Sequence, residues 1–499
     1  LRLLSTLRWC VRGPRLLLTR LFSYIRVLSR FKRIGPWHLY TILIIALFLG
    51  VNVYLTFFNG LFKPVFVEEA SIRAANLSLI NLVPVIAGPS QSFLASTFFG
   101  VSLKTFQKVH RSLAVVSTLL LLVHVIAAIV ARRGFSLQVV RNVWTLAAVV
   151  WLVALIFLSL PWLRGPYELF ARTHQLLSVA LPFLIWQHLT PEVNVYFFIF
   201  LGSFPLMLLA QLGNVFYRNA IVLRTRKSEH TNAVEESKIN RDIIQIELAL
   251  PRPIRIQEGQ YIGLWIPAVS RLSFLQVHPF MVTSWSDGCS NRLSVLVDPR
   301  RGWTKKLLRY TRLKPNGEPC RALFTGPYGL SVPTRKYGIV LLVAAGLGIV
   351  SHIPYLKRLI HDYNARRTQT RRICLVWLVK TLDLPYLFQD MLNEALAEDA
   401  LDDGRILGIT IYVESGGAEH RFGKRTIVHS GFPNLEAIFK NERTEENIKR
   451  AQKEEDAKEE MLVLVSATEG LRVELRKISQ RYVRDGVDVV ELEYQPDSD

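Results

Sequence analysis

Four histidines lie inside long apolar stretches at one repeated spacing. His110 and His124 are fourteen residues apart, and so are His174 and His188. An α-helix turns about 100° and rises about 1.5 Å per residue, so fourteen steps end about 40° short of whole turns and about 21 Å further along the axis. Each pair therefore falls near one face of its helix. Ionisable side chains in hydrocarbon are costly and need partners. A single such histidine is ordinarily a hydrogen-bonded packing residue. Two pairs with one spacing, on two separate segments, form a pattern that packing alone does not require. Imidazole suits iron and is a standard axial ligand of haem. Two such helices side by side would clamp two stacked b-type haems, His110 with His174 and His124 with His188. Both axial positions of each iron would then be filled, so an acceptor would take its electron at the haem edge.

The rest of the chain fits a membrane setting. Half of its 499 residues are hydrophobic, and these concentrate in the first 217 positions. Runs near 39–58, 76–98, 106–130, 142–160, 170–190 and 194–216 approach or exceed the ~20 residues needed to span hydrocarbon. Pro84, Gly88 and Pro89 interrupt the second run. The net charge of +21 is high enough for nucleic-acid binding, but its distribution excludes that use. Arg2, Arg8, Arg12, Arg15, Arg20, Arg26, Arg30, Lys32 and Arg33 precede the first span, and Arg218, Arg224, Arg226 and Lys227 follow the last. The positive-inside bias puts both flanks in the cytosol, although Arg132, Arg133 and Arg141 fall outside. The basic tail, residues 1–38, either lies on anionic lipid or is solvated. Cys10, Cys289, Cys320 and Cys374 show neither a disulfide framework nor zinc spacing. No cleavable signal pattern is visible, and the opening Leu points to a trimmed start.

The expected architecture is multi-domain. A six-helix transmembrane haem bundle occupies 39–218. Alternating segments such as Ile243–Leu250 and Tyr261–Ile266 then predict an antiparallel β-barrel over 219–333. From 334 to 499, apolar strands at Tyr337–Ala344, Ile373–Leu378, Thr410–Val413 and Met461–Val465 alternate with helical patterns. That alternation predicts an α/β domain with a parallel sheet and a nucleotide crevice. Residues 441–460 are nearly all charged or polar and read as a solvated insertion.

Four further motifs add chemistry. His278-Pro279-Phe280 leads into Met281, Val282, Thr283 and Ser284, where two hydroxyls are available to an aromatic ring edge. Gly302-Trp303-Thr304 opens a helix that Thr304 can cap, with Lys305 and Lys306 adding positive charge for a pyrophosphate. Gly326-Pro327-Tyr328-Gly329 precedes the nucleotide sheet. Gly346-Leu347-Gly348-Ile349 joins strand to helix, where glycines let backbone approach phosphate closely. His352 on that helix reads as a packing or surface residue. With the paired histidines, these motifs resemble, in identity and order, the ferric reductase and NADPH oxidase family of transmembrane electron carriers, most closely the fungal ferric-chelate reductases. The likeness covers nearly everything from residue 39.

The resemblance implies two b-type haems on the four histidines. It implies FAD held by His278, Pro279, Phe280, Thr283, Ser284, Gly302, Trp303, Thr304 and a terminal aromatic, here Tyr494. It implies NADPH held by Gly326, Pro327, Tyr328, Gly329, Gly346, Leu347, Gly348, Ile349 and Lys380, the last meeting a 2′-phosphate. Electrons would pass from cytosolic NADPH through FAD and the haems to an outer acceptor. That acceptor is a ferric or cupric chelate, or O₂ if the chain is a superoxide-producing oxidase. The expected setting is the lipid bilayer of a plasma or vacuolar membrane. Departures from the family pattern are Met281 for a Thr, Ala345 in the glycine turn, Pro89 for an Arg, and Ser466 where the family places a catalytic-site Cys. They open a third possibility, a relative that keeps haem but no longer turns over NADPH.

Overall fold

The computed structural model describes residues 26–28, 37–86, 91–131, 135–160, 167–189, 194–219, 233–240, 243–270, 278–300, 302–313, 320–401, 406–414, 421–422, 425–444, 460–482 and 486–495. Most of the basic tail, together with Pro89, Arg132, Arg133, Arg224, Arg226 and Lys227, lies outside these. The expected insertion is helical as far as Thr444, the end of helix Leu435–Thr444, and 445–459 also lie outside. The chain divides into two compact units, one spanning Ile42–Ile221, the other built mainly from Val222–Ser270 and His278–Asp499.

The first unit is helical: α1 (Leu39–Phe57), α2 (Val67–Leu82), α3 (Leu103–Val130), α4 (Val140–Ser159), α5 (Tyr167–His188) and α6 (Val195–Asn219). Leu103–Val130, Val140–Ser159, Leu169–His188 and Val195–Asn219 are long and apolar enough to cross a membrane. Ser102 starts α3 by accepting from the Thr105 amide, a side-chain N-cap.

The expected second span differs. Its helix begins at Val67, ends at Leu82, and is followed by Gln91–Phe93 and a π-helical turn at Leu94–Phe98. Pro84 has no N–H to donate and restricts its predecessor, so helical bonding stops there. Glu68 and Glu69 in the first turn complement the positive helix end. The α2 helix is less apolar because its buried face is small and polar: Ser71, Ala74, Ser78 and Asn81 are nearly inaccessible. Ser78 Oγ donates to the Ser117 carbonyl and Ser117 Oγ to the Ser78 carbonyl, at 3.1 and 3.3 Å. Small residues let α2 and α3 approach closely, and the exchanged bonds fix their register.

The second unit opens with two antiparallel sheets. Strands β1 (Ala233–Asn240), β2 (Ile243–Arg255), β3 (Tyr261–Trp265), β4 (His278–Met281), β5 (Cys289–Val297), β6 (Cys320–Arg321) and β7 (Leu323–Tyr328) order as β6-β1-β2-β5 and β7-β3-β4. Period-two alternation sends Ile244, Ile246, Leu248, Leu293 and Val295 into one core. Helix α7 (Gly302–Leu313) adds Trp303 and Leu307 to it.

A seven-stranded sheet follows: β8 (Ile339–Ala345), β9 (Arg372–Val379), β10 (Leu407–Val413), β11 (Arg421–Phe422), β12 (Thr426–Ser430), β13 (Met461–Ser466) and β14 (Val487–Glu491). Its order is β11-β12-β10-β9-β8-β13-β14, parallel except for edge strand β11. All seven residues of β8 are buried, as expected of a strand covered on both faces. Helix α8 (Ile349–Asn364) leaves β8 through a 3₁₀ turn, and α9 (Glu469–Tyr482) follows β13. Strand order reverses between β8 and β13, so the crevice of such a sheet opens beyond their carboxyl ends.

Candidate functional site

The two histidine pairs come together as the spacing predicts. The His110 and His174 rings have centres 6.5 Å apart, and those of His124 and His188 are 6.2 Å apart. With metal–nitrogen bonds of about 2 Å and roughly 1 Å more from each nitrogen to its ring centre, two imidazoles holding one metal ion have centres about 6 Å apart. Both pairs fit that separation. Among the described residues no group of three or more His, Cys, Asp or Glu side chains would hold a bare metal ion. A porphyrin supplies the remaining donors itself, so pairs of histidines suit haem and not a free cation.

Neighbouring helices settle which ring nitrogen carries the proton. Thr145 Oγ1 lies 2.7 Å from His188 Nδ1 and donates its own proton to the Arg141 carbonyl at 2.9 Å. A hydroxyl has one proton, so His188 Nδ1 is the donor to Thr145. Ser159 Oγ repeats this arrangement, 3.3 Å from His174 Nδ1 while donating to the Leu155 carbonyl at 2.8 Å. Ser71 Oγ lies 3.0 Å from His124 Nδ1 and donates to the His124 carbonyl at 3.1 Å. The Ser71 carbonyl, which can only accept, is 3.0 Å from the same nitrogen. In all three rings Nδ1 bears the proton, and the Nε2 lone pair is left for a metal. His110 differs. No hydroxyl meets its Nδ1 among the described residues, and the Val85 carbonyl faces that ring instead.

In the barrel, two of the sequence motifs meet. His278 stacks on Trp303, centres 4.9 Å apart and planes 13° apart, and Phe280 tilts against the same indole at 5.8 Å. Pro279 lies between them on β4, and Met281 is buried core. Gly302 has φ +58°, a left-handed turn that glycine adopts without a Cβ clash. Thr304 is not the helix cap. It lies in the first turn of α7, and its hydroxyl accepts from the Arg300 amide at 3.2 Å, tying the incoming loop to the helix start. Thr283 is buried and donates to the Ser294 carbonyl at 3.0 Å, so its proton is not offered to a flavin. Ser284 Oγ accepts from the Ser294 amide at 3.0 Å and keeps a proton to give.

Gly326, Pro327 and Tyr328 end β7, which pairs with β3 in the barrel, and Gly329 follows directly. The Tyr328 and Tyr261 rings are 5.9 Å apart. These four residues, grouped with the nucleotide residues by resemblance, therefore belong to the flavin-side sheet. A Cβ at Gly329 would sit 2.8 Å from the Gly259 carbonyl, and one at Gly259 would sit 2.7 Å from the Tyr355 hydroxyl. Burial pushes that hydroxyl's pKa up, and it accepts from the Val332 amide at 3.0 Å.

The glycine turn and Ser466 face one another across the switch point. Gly346 has φ +50° with open space around it, and its carbonyl accepts from Trp377 Nε1 at 2.8 Å. A Cβ on Gly348 would run into the Ser466 carbonyl. That glycine lets the start of α8 pack closely against the end of β13. Ser466 is buried, and its hydroxyl donates to the Tyr494 carbonyl at 2.8 Å. Gln495 accepts from the Ala467 amide at 2.9 Å and donates to the Val465 and Leu492 carbonyls at 2.8 Å. Lys380 is exposed one residue beyond β9, at the carboxyl edge of the sheet. His352 is fully buried, its Nε2 3.0 Å from the Val343 carbonyl. It is a packing residue.

Three family models match in series: the ferric reductase like transmembrane component over residues 74–185, an FAD-binding domain over 229–332, and the ferric reductase NAD binding domain over 337–480. The chain belongs to the ferric reductase and NADPH oxidase family. It is an integral membrane protein with FAD-binding and NAD(P)-binding domains. Over 301 residues this family member is 25% identical to ferric reduction oxidase 5 of Arabidopsis thaliana, covering 58% of this chain and 40% of that one. Over 367 residues it is 25% identical to ferric/cupric reductase transmembrane component 7 of Saccharomyces cerevisiae, covering 69% and 55%. Over 170 residues it is 28% identical to respiratory burst oxidase homolog protein E of Arabidopsis thaliana, covering 30% and 17%. The chain thus spans about half or less of these relatives' lengths.

Sequence reasoning missed Ser71, Thr145, Ser159, Gly259 and Tyr355. A signal for two of them was present: Thr145 and Ser159 are themselves fourteen residues apart.

Proposed function

We propose that this protein moves electrons from cytosolic NADPH across a membrane to a ferric or cupric chelate on the outer side. The observation that carries the proposal is the pair of imidazole clamps, 6.5 and 6.2 Å between ring centres, with Nδ1 protonated in three of four rings. His110 and His174 would hold the inner haem and His124 and His188 the outer one, within a bundle of six helices over 39–218. The flavin domain is assigned to 219–333 and the nucleotide domain to 334–499. When bound, FAD takes a hydride as an electron pair and releases single electrons, and the haem irons carry these one at a time.

The chain's own residues prepare that chemistry. The hydroxyls on α2 and α4 hold a proton on Nδ1 of His124, His174 and His188, so each of these rings presents the in-plane lone pair of Nε2. The His278–Trp303 stack fixes the wall against which an isoalloxazine would lie, and Ser284 offers it a hydroxyl. Lys305 and Lys306 are exposed on the first turn of α7, where positive charge and unbonded N–H groups attract a pyrophosphate. The turn at Gly346–Gly348 and the start of α8 would do the same for the second nucleotide, with Lys380 meeting a 2′-phosphate.

The test offers Fe(III) chelate, Cu(II) chelate and O₂ separately to vesicles supplied with NADPH. Chelate-dependent NADPH consumption supports the proposal, and superoxide formed without chelate moves the protein to the oxidases. One observation favours a second reading, retention of haem without NADPH turnover: Tyr494 and Gln495 occupy the hydrogen-bonding groups of Ser466 and Ala467. Stopped-flow mixing of NADPH with the flavin-loaded protein separates the two, since only a turning-over enzyme bleaches the flavin.

A further inference from the structure

We infer that α4 sets the electron affinity of both haem sites, with Thr145 acting through His188 and Ser159 acting through His174. The inference rests on the haem ligation proposed above. The two hydroxyls are fourteen residues apart on α4, and their partners are fourteen residues apart on antiparallel α5. Trp151, between them, donates from Nε1 to the Leu177 carbonyl at 2.9 Å and locks the register of the two helices. Helix α4 carries no histidine of its own, and both hydroxyls lie on the side that meets the α5 rings.

Each hydroxyl has its proton tied to the carbonyl four residues back, at Arg141 or Leu155. Toward the ring it can only accept. Pulling on the Nδ1 proton raises imidazole basicity, so Nε2 donates more strongly to a bound metal. Stronger axial donation favours the oxidised iron and lowers its reduction potential, which such hydrogen bonds help to set. The contacts are graded. Both rings of the His124–His188 pair have acceptors, at 3.0 and 2.7 Å. In the other pair Ser159 is 3.3 Å from His174, and the Val85 carbonyl faces the His110 ring without reaching hydrogen-bond geometry at Nδ1. Hydrogen bonds weaken as they lengthen. The His124–His188 haem is therefore the lower-potential site, and Thr145, Ser159 and Ser71 are its and its neighbour's positioning residues.

Potentiometric titration of the full-length, haem-loaded protein, followed in the Soret and α bands, reads this directly. Two midpoints are expected, and His124→Ala removes the lower. Thr145→Val keeps side-chain shape but loses the acceptor; it should raise the lower midpoint and leave the upper one in place. Ser159→Ala should raise the upper midpoint by a smaller step. Thr145→Ser should restore the wild-type value, which a purely structural role of the threonine would not predict. The low-spin ferric EPR signal of the affected haem should shift with each change. Unmoved midpoints and EPR signals in Thr145→Val or Ser159→Ala, at full haem content, overturn the inference. A folded wild-type protein with no Soret band overturns the haem ligation beneath it, which is a separate result.

Discussion

At the scale of single residues, the site depends on atoms that are absent as much as on atoms that are present. Gly348 is the clearest case. Its missing Cβ leaves room for the Ser466 carbonyl, so Gly348→Ala must push α8 away from β13. Overpacking of this kind costs about 1–3 kcal/mol, and the expected outcome is a lower thermal unfolding midpoint with weakened NADPH binding. Gly346→Ala meets no neighbour, yet its φ of +50° disfavours any side chain by about 1–2 kcal/mol. A smaller loss of stability is expected there, by the same measurement. The histidines fail differently. His124→Ala leaves one clamp intact, so the Soret absorbance per protein should fall to about half that of the wild type. Retention of both haems would refute the pairing.

At the scale of elements, buried polar groups tie strands and helices together. His352 on α8 is fully buried, and desolvation, opposed by its bond to the Val343 carbonyl, lowers its pKa from 6.5 to about 4. The folded state holds this ring neutral, while the unfolded chain takes up a proton below 6.5. Stability from this group is therefore complete above about pH 6.5 and is lost as pH falls toward 4, by at most about 3 kcal/mol. Thermal midpoints of wild type and His352→Gln, compared between pH 7 and 4.5, should converge at the acid end. Between barrel and nucleotide sheet, Arg358 of α8 pairs with buried Glu258, which also accepts from Ser331, and reaches Asp362 at 3.4 Å. Arg358→Ala strands the Glu258 carboxylate and should cost about 3 kcal/mol. Glu258→Gln leaves Arg358 its Asp362 partner and should cost less. The order of the two unfolding midpoints checks this asymmetry.

At the scale of the whole molecule, NADPH oxidation should depend on an acceptor placed on the far side of the bilayer. Sealed vesicles with Fe(III) chelate only on the nucleotide side should consume NADPH much more slowly than vesicles with it opposite. Equal rates would place the exit elsewhere. An interior-negative membrane potential should speed the outward transfer, since a full crossing of one charge is worth about 2.3 kcal/mol per 100 mV.

The sequence by itself determined the order of the parts. Apolar runs marked four of the membrane helices, period-two alternation marked β2 and β3, and continuous apolar runs marked β8, β9 and β13, because these patterns follow directly from helix and strand periodicity. The paired histidines were legible for the same reason. The second helix was not: its small polar face gains its burial against α3 and α1, and hydropathy along a chain does not register a neighbour. Nor was the role of Thr304, whose hydroxyl serves Arg300, or of Gly348, whose lack of a side chain serves β13. Which nitrogen of His124, His174 and His188 holds a proton was decided by Ser71, Ser159 and Thr145. Those contacts join residues 15 to 53 positions apart. Only the packing of α2 on α3 and of α4 on α5 could bring them within bonding distance.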